Sequence, residues 1–373
     1  MQSTVEQFAL VNPLIRLIGK EPKQFTREDL IKVIIDEQIE RITFHYTGID
    51  GKIKDLKIPV ENRKQVEMIL SEGERVDGSS LFKGMVDAGK SDLYVVPLYK
   101  TAFFNPFDNK SIDFICRFFN KDGDLADYAP DNILRKANKL LFDNTGLEFY
   151  ALGELEFYLI GHHQNMLFSM PAQRAYHSSS PYIKTGFILN EMLNHITKIC
   201  GKVKYAHSEV GHIEYIESEF EELSSKSAEQ VEIEFQLTPV EEMADNLVIA
   251  CWIIRNVAYK YGFLATFFPK IEIGHAGSGL HFHTALKKNE KSIMTNKKGE
   301  LTQEAKMLVG GLCHYASSLT AFGNMVSASY LRLVPNQEAP TKVCWSEMNR
   351  SAMIRIPLSW SNLTNIEIGR AHV

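Results

Sequence analysis

Residues 151–160 read ALGELEFYLI, and an extended chain in this order shows Glu154, Glu156 and Tyr158 on one face and Leu155, Phe157 and Leu159 on the other. One face suits a protein core; the other suits a cation. Three further stretches repeat the arrangement: His207 and Glu209 in YAHSEVGH, Glu232 and Glu234 in EQVEIEF, and His281 and His283 in GSGLHFH, where Leu280 and Phe282 turn to the opposite side. A lone E-x-E strand is more often a wetted edge, and a lone histidine among apolar residues is more often a satisfied core residue. Four such strands in one region read differently, because carboxylates gathered in a low-dielectric site repel one another unless cations neutralise them. Carboxylates with imidazole and no thiolate suit Mg2+ or Mn2+ better than a structural zinc, and such ions commonly carry phosphate. HSEVGH lacks the H-E-x-x-H spacing of a zinc-protease helix.

A cationic element follows. SYLRLVPNQEAP and EMNRSAMIRIP supply Arg332, Arg350 and Arg355, with Glu338 between them. Arginine grips carboxylate and phosphate in bidentate fashion and keeps its charge, and the apolar setting of AMIRIP argues against a purely solvated role.

The elements that must position these groups are legible in outline. RITFHYTGID and GKIKDLKIPV alternate around a glycine-containing turn, after a helix that Thr26 opens with Glu28 and Asp29 in its first turn. The segment TAFFNPFDNKSID reads as a loop, which places a domain boundary near residue 108: a small α+β domain over 1–108, then a larger one over 109–366. In the larger domain Pro130 and Asp131 open a helix with Ile133, Leu134, Ala137, Leu140 and Leu141 on one stripe; Gly146 closes it. Further helices are expected over about 242–261 and 302–320. Strands with polar faces alternating with helices imply a mostly antiparallel or mixed sheet, backed by helices and open on one side.

Composition bounds the function. The chain has 373 residues, 45% hydrophobic and 23% charged, with a net charge of −5 and a pI near 6.2. That balance gives no electrostatic reason to expect nucleic acid or an anionic membrane as partner. Cys116, Cys200, Cys251, Cys313 and Cys344 are scattered, without a C-x-x-C pair, which suits reduced thiols and a cytoplasmic protein. No export signal and no run of 18 apolar residues is found. GMVDAGKS at 84–91 spells a phosphate-binding loop, but it follows polar DGSSLFK, precedes the strand-like DLYVVPLY and carries Asp87, whose charge would repel polyphosphate; it reads as a surface loop.

Taken together, VDGSS at 76–80, GELEF at 153–157, HSE at 207–209, EQVEI at 229–233, ATFFPK with GSGLHFH within 265–283, RLVPNQEAP at 332–340 and NRSAMIRIP at 349–357 resemble the glutamine synthetases, by spacing the class I bacterial type. The matches run in family order over nearly all of the chain beyond residue 20. The resemblance implies an α+β protein: a β-grasp-like N-terminal domain and a catalytic domain with a curved, mostly antiparallel sheet backed by helices. It also implies a homo-oligomer, usually a dodecamer, whose active sites are shared between subunits. The implied reaction joins L-glutamate and ammonium at the cost of ATP, through γ-glutamyl phosphate, with Mg2+ or Mn2+ as cofactor. By motif, Glu156, Glu209 and Glu232 would ligate the metal nearer glutamate, and Glu154 and His281 the metal on the ATP phosphates. Gly277 and Arg332 would bind glutamate, His283 would contact ATP, and Arg350 and Arg355 would neutralise phosphate. Glu338 would close over the intermediate, and Asp77, from a neighbouring subunit, would bind and deprotonate ammonium.

This chain departs from the pattern in several places. An acidic insertion fills 210–228, Ala285 stands where serine is common, and Met348 stands where a basic residue often precedes NRS. The family's R-x-E-x-R-x-PD segment is not found: Gly369 follows Glu367 by two, and no Pro-Asp comes after. The ending EIGRAHV is translated by GAG ATC GGA AGA GCA CAC GTC, which resembles a common sequencing adapter, so residues 367–373 are expected to be foreign to the gene and this form of the chain poorly active. Resequencing the locus past codon 366 tests that; a genomic stop directly after Val373 contradicts it. Two other readings stay open: a γ-glutamyl ligase using an amine or polyamine, against which Asp77 and Glu338 speak, and a catalytically inactive scaffold, against which the retained metal ligands speak.

Overall fold

The structure is a computed structural model that describes residues 8–162, 167–334, 339–357 and 366–371, the last of these as backbone alone. The chain divides into two compact units. The first comprises Met1–Lys139, Asn194–Gly201 and Ala244–Trp252; the second comprises Leu140–Leu193, Lys202–Met243 and Ile253–Val373.

The first unit is built on a mixed sheet of β1 (Arg41–Thr47), β2 (Ile53–Pro59), β3 (Glu74–Asp77), β4 (Asp92–Pro97), β5 (Phe103–Phe104) and β6 (Ser111–Phe119), in the order β2-β1-β6-β4-β3 with β5 beside β6. The hairpin expected around the Gly-containing turn is β1–β2. The loop near residue 108 leads into β6, which pairs parallel with β1 at the centre of this sheet. Helices α1 (Pro13–Ile18), α2 (Arg27–Asp36) and α3 (Arg63–Glu72) supply Leu14, Leu30, Ile34, Val66 and Leu70 to a core shared with Phe44, Phe82 and Phe114. Thr26 caps α2, accepting from the Asp29 N–H while Asp29 accepts from the Thr26 N–H, so two of the free amides of that helix end are satisfied at once. Residues 84–91 form turns rather than a strand-to-helix loop, and Asp87 accepts from Gly89 N–H at 2.7 Å, as the failed phosphate-loop context implied.

The second unit is dominated by a ten-stranded sheet. Its main path is β14-β15-β16-β12-β7-β9-β8, where β7 is Glu148–Gly161, β8 Val203–Ile213, β9 Ser227–Phe235, β12 Leu280–Lys288, β14 Trp345–Glu347, β15 Ile354–Ile356 and β16 Ile366–Ala371. Short strands β10 (Thr238–Pro239) and β11 (Leu264–Thr266) lie along β7, and β13 (Lys291–Ser292) lies along β12. All these pairings except β14–β15 are antiparallel. Strand β16 includes five of the residues expected to be foreign; ladder pairing uses backbone groups that every non-proline residue carries.

One helix expectation needs correction. α4 (Gly78–Leu81) is a single turn capped by Asp77, and α5 (Pro130–Thr145) is present as expected, but Ile133 and Leu140 of its apolar stripe are 50% and 54% exposed. The stripe is covered only in part: Leu134 and Leu141 are half-buried, and Leu141 packs against the core of Ala285, Leu286 and Val309. α6 (Gly186–Cys200) and α7 (Val240–Lys260) follow, the latter within two residues of its expected bounds. The helix read over 302–320 is two, α8 (Gln303–His314) and α9 (Ala316–Gly323), because Tyr315 leaves helical geometry at ψ 18°; a single turn, α10 (Ser327–Tyr330), precedes Arg332. No described helix is long and apolar enough to cross a membrane.

Candidate active site

Strand order is what gathers the four polar pairs. In the sequence β12, β7, β9 and β8 are far apart; in the sheet they are consecutive. The register then sets His281 opposite Glu154, Glu234 opposite Glu154 on the other side, Glu232 opposite Glu156, and His207 opposite Glu232. Directly opposed residues on one sheet face come within contact range, so alternation within strands becomes one continuous polar strip across them. Beneath it Leu155, Phe157, Val231 and Ile233 are buried, which anchors the strip to the core.

The contacts are close. Glu154 accepts from both imidazoles of β12: Nδ1 of His281 at 2.7 Å and Nε2 of His283 at 2.7 Å. Glu156 Oε2 accepts from Gly279 N–H at 2.8 Å and from Gln230 Nε2 at 3.2 Å, and its Oε1 is 3.8 Å from His281 Nε2. Glu232 lies 3.3 Å from His207 Nε2, while Glu209 lies 3.8 Å from His207 Nδ1 and accepts from Val210 N–H at 2.9 Å. Glu234 is paired with Lys204 at 2.7 Å.

Electrostatics separates these acids. Burial raises the Glu154 carboxyl, but hydrogen bonds and charge from His281 and His283 outweigh burial and hold it well below the usual range. Glu232 has no such help: burial, then the charges of Glu156, Glu154 and Glu209, push it up to about 11. Burial also pushes the His207 imidazole down, towards the neutral form that ligates metals. Nε2 of His281 is buried with no hydrogen-bond partner among the described residues. An orphaned imidazole nitrogen facing a crowd of carboxylates that repel one another fits a divalent cation, and two sets offer ligand atoms within 4.8 Å of each other: Glu154, Glu232 and His281, and His207, Glu209 and Glu232.

Gly277, Arg332, Arg350 and Arg355, expected from sequence on the substrate side, are also in the second unit. Gly277 could not carry a side chain, since a Cβ there would lie 2.2 Å from Pro269 O and 2.6 Å from Arg332 Cδ. Arg332 is buried and donates to Ser278 O. Arg355 is half-buried on β15, and Arg350 is exposed in the turn before it. Asp77 belongs to the first unit, where it is exposed and accepts from Ser79 and Ser80 hydroxyls at 2.7 and 2.6 Å; hydrogen bonds from Ser80, Ser79 and Ser91 hold its carboxyl far below the usual range, which favours pairing with a cation over taking a proton. Glu338 lies outside the described residues.

Sequence reasoning missed Gln230. Its amide reaches Glu156 and also donates to Gly277 O at 3.1 Å, so it ties the carboxylate strip to the glycine loop. The signal was available, since Gln230 shares its face with Glu232 at the i, i+2 spacing.

A six-stranded mixed sheet in one unit, and in the other a broad, largely antiparallel sheet lined by carboxylate and imidazole groups that could hold a divalent cation, define an α+β protein. Comparison with known proteins then gives the lineage. Residues 38–121 match the family description "Glutamine synthetase, beta-Grasp domain", and residues 127–371 match "Glutamine synthetase, catalytic domain". Glutamine synthetase of Pyrococcus horikoshii is 30% identical over 333 residues, covering 89% of this chain and 69% of that protein; the enzyme of Frankia alni is 30% identical over 357 residues, covering 90% and 74%. Among solved structures, Plasmodium falciparum glutamine synthetase superposes with a TM-score of 0.77 at 23% identity, covering 93% of this chain and 71% of that one. Apo GmaS gives 0.75 at 17% identity, covering 92% and 76%. The chain belongs to the glutamine synthetase family.

Proposed function

We propose that the protein is a glutamate–ammonia ligase, forming L-glutamine from L-glutamate, ammonium and ATP through γ-glutamyl phosphate. The observation that carries the reading is the register of β12, β7, β9 and β8, which brings Glu154, Glu156, Glu232 and His281 into one strip and leaves His281 Nε2 buried without a hydrogen-bond partner among the described residues. Glu156, Glu209 and Glu232 would hold one Mg2+ or Mn2+ and Glu154 with His281 another; when bound, such ions supply positive charge to offset that of the transferring phosphoryl group.

The chain's own residues do the rest. Gly277 admits the glutamate backbone end closely, and Arg332 holds a substrate carboxylate in bidentate fashion. His283 meets the nucleotide, and Arg350 and Arg355 neutralise phosphate oxygens. Asp77 of a neighbouring copy pairs with ammonium, and Glu338 excludes water from the acyl phosphate. This assigns a homo-oligomer with shared sites, located in the cytoplasm.

The test is phosphate release by the protein expressed from its source locus, with glutamate, ATP and ammonium, methylamine or putrescine as acceptor. Ammonium is expected to be preferred, and Glu156→Ala to lower kcat by at least about a hundredfold. Faster turnover with an amine would replace the acceptor; no release with any acceptor would leave a scaffold.

A further inference from the structure

The loop 275–279, between β11 and β12, has one backbone bond to a strand, from Glu156 N–H of β7 to Gly279 O at 3.1 Å, and Lys270 donates to His275 O; side chains supply most of its other contacts. Tyr158 Oη donates to Ala276 O at 2.7 Å, Gln230 holds Gly277 O, Arg332 holds Ser278 O, and Glu156 accepts from Gly279 N–H. These four come from the site or its arginine. The remaining contacts come from elsewhere. Gln173 Oε1 accepts from Ala276 N–H at 2.7 Å, and Gln173 Nε2 is 3.0 Å from His275 Nδ1. Gln173 has φ 58°, a left-handed conformation that is unfavourable for a non-glycine residue and that persists only where surrounding contacts enforce it. They do: Ala175 N–H donates to Val210 O at 3.3 Å and Ser208 Oγ donates to Ala175 O at 2.8 Å, so the segment carrying Gln173 is fastened to β8 on both sides of Glu209.

The acidic insertion reaches the same loop from the other side. Its glutamates at 214, 217, 219, 221 and 222 face solvent, but Ile216 is 5% exposed and, with Leu223, packs into a small core containing Tyr158, Ile213 and Ile271. Glu272 then joins the insertion to the loop: one carboxylate oxygen lies 3.3 Å from Glu217 N and the other 3.4 Å from His275 Nε2. His275 is thus set between Gln173 and Glu272.

We propose that Gln173, acting through His275 and Ala276, and the 214–226 insertion, acting through Glu272, are positioning elements that fix the Gly277 loop and thereby set the affinity for the amino-acid substrate; the substrate half of this rests on the ligase reading above. The insertion is then an inward-facing buttress with a solvated rim.

Gln173→Met keeps length and removes both polar ends, whereas Gln173→Glu keeps an acceptor for Ala276 N–H and another for a proton on His275 Nδ1. In Gln173→Met the amides of 275–279 are expected to exchange hydrogen about tenfold faster, and in Gln173→Glu to return to within about threefold of the parent. The glutamate KM is expected to rise about tenfold in Gln173→Met with kcat and the ATP KM within about twofold, and about threefold in Glu272→Ala with the same split. Unchanged exchange over 275–279 in Gln173→Met, or faster exchange spread equally through β7 and β9, overturns the positioning role. An unchanged glutamate KM in Glu272→Ala removes the insertion from it. Should the parent protein release no glutamate-dependent phosphate, the ligase reading falls, and the exchange data alone decide whether Gln173 positions the loop.

Discussion

Each unit buries histidine against carboxylate on a sheet, and the two clusters are built to opposite rules. In the first unit Asp113, fully buried, accepts from His45 Nε2 at 2.7 Å, Asn105 Nδ2 at 2.8 Å and Ser111 Oγ at 2.6 Å, and Ser111 is bonded in turn to Thr43 at 2.8 Å. One acid has three donors. In the second unit four glutamates share one strip, and among the described residues Glu232 meets His207 at 3.3 Å besides the other carboxylates that push it up. Both clusters contain an imidazole nitrogen without a hydrogen bond among the described residues, His45 Nδ1 and His281 Nε2. The His45 ring is packed 5.0 Å from Trp252 and 5.9 Å from Phe103, whereas His281 Nε2 looks towards Glu156 at 3.8 Å. A buried acid is no guide to function by itself; the ratio of donors to acids is, because only a deficit of donors leaves work for a cation.

The contrast can be broken most severely in the first unit. Asp113→Ala removes a satisfied charge and strands His45, Asn105 and Ser111, so it is expected to cost about 3–5 kcal/mol in urea unfolding. A loss under about 1 kcal/mol would mean that this cluster, too, is held in a strained state. The second unit answers to metal instead. Saturating Mn2+ is expected to stabilise the protein by about 2–3 kcal/mol at about a hundred times its Kd, and Glu156→Ala to lose most of that gain. A metal response that survives both Glu156→Ala and Glu154→Ala would place the ion outside the strip.

Much of this contrast was legible in the sequence, and the reason is the period of a strand. Alternation alone put Glu154 with Glu156, Glu232 with Glu234 and His281 with His283 on shared faces, and the register bears that out. Which strands would be neighbours was not legible, since β12 pairs with β7 across more than a hundred residues and no local pattern encodes the pairing. The resemblance to a family supplied what periodicity could not. Turns and loops were the poorest ground: Gln173 and His275 carry no pattern, because their roles come from contacts between loops distant in sequence. The half-covered stripe of α5 shows a further limit, since amphipathic spacing tells which residues share a side but not what covers them.

The smallest expected effect sharpens the comparison best, because it reverses sign. Removing an acid from a donor-rich cluster destabilises; removing one from a donor-poor cluster should relieve it. Glu232 is 7% exposed, sits among Glu154, Glu156 and Glu209, and has a single imidazole for company. Glu232→Gln keeps its shape and replaces an acid that is ionised in the unfolded chain but, pushed up to about 11 here, must take up a proton on folding near neutral pH; the amide carries no such cost. In EDTA the variant is therefore expected to be about 1 kcal/mol more stable than the parent, and in Mn2+ less stable, since one ligand is gone. The crossing of the two orders is the signature of a site strained for a cation. A variant less stable in both conditions would mean that Glu232 is held by ordinary packing, and that the strip, like the His45–Asp113 cluster, is satisfied by the protein alone.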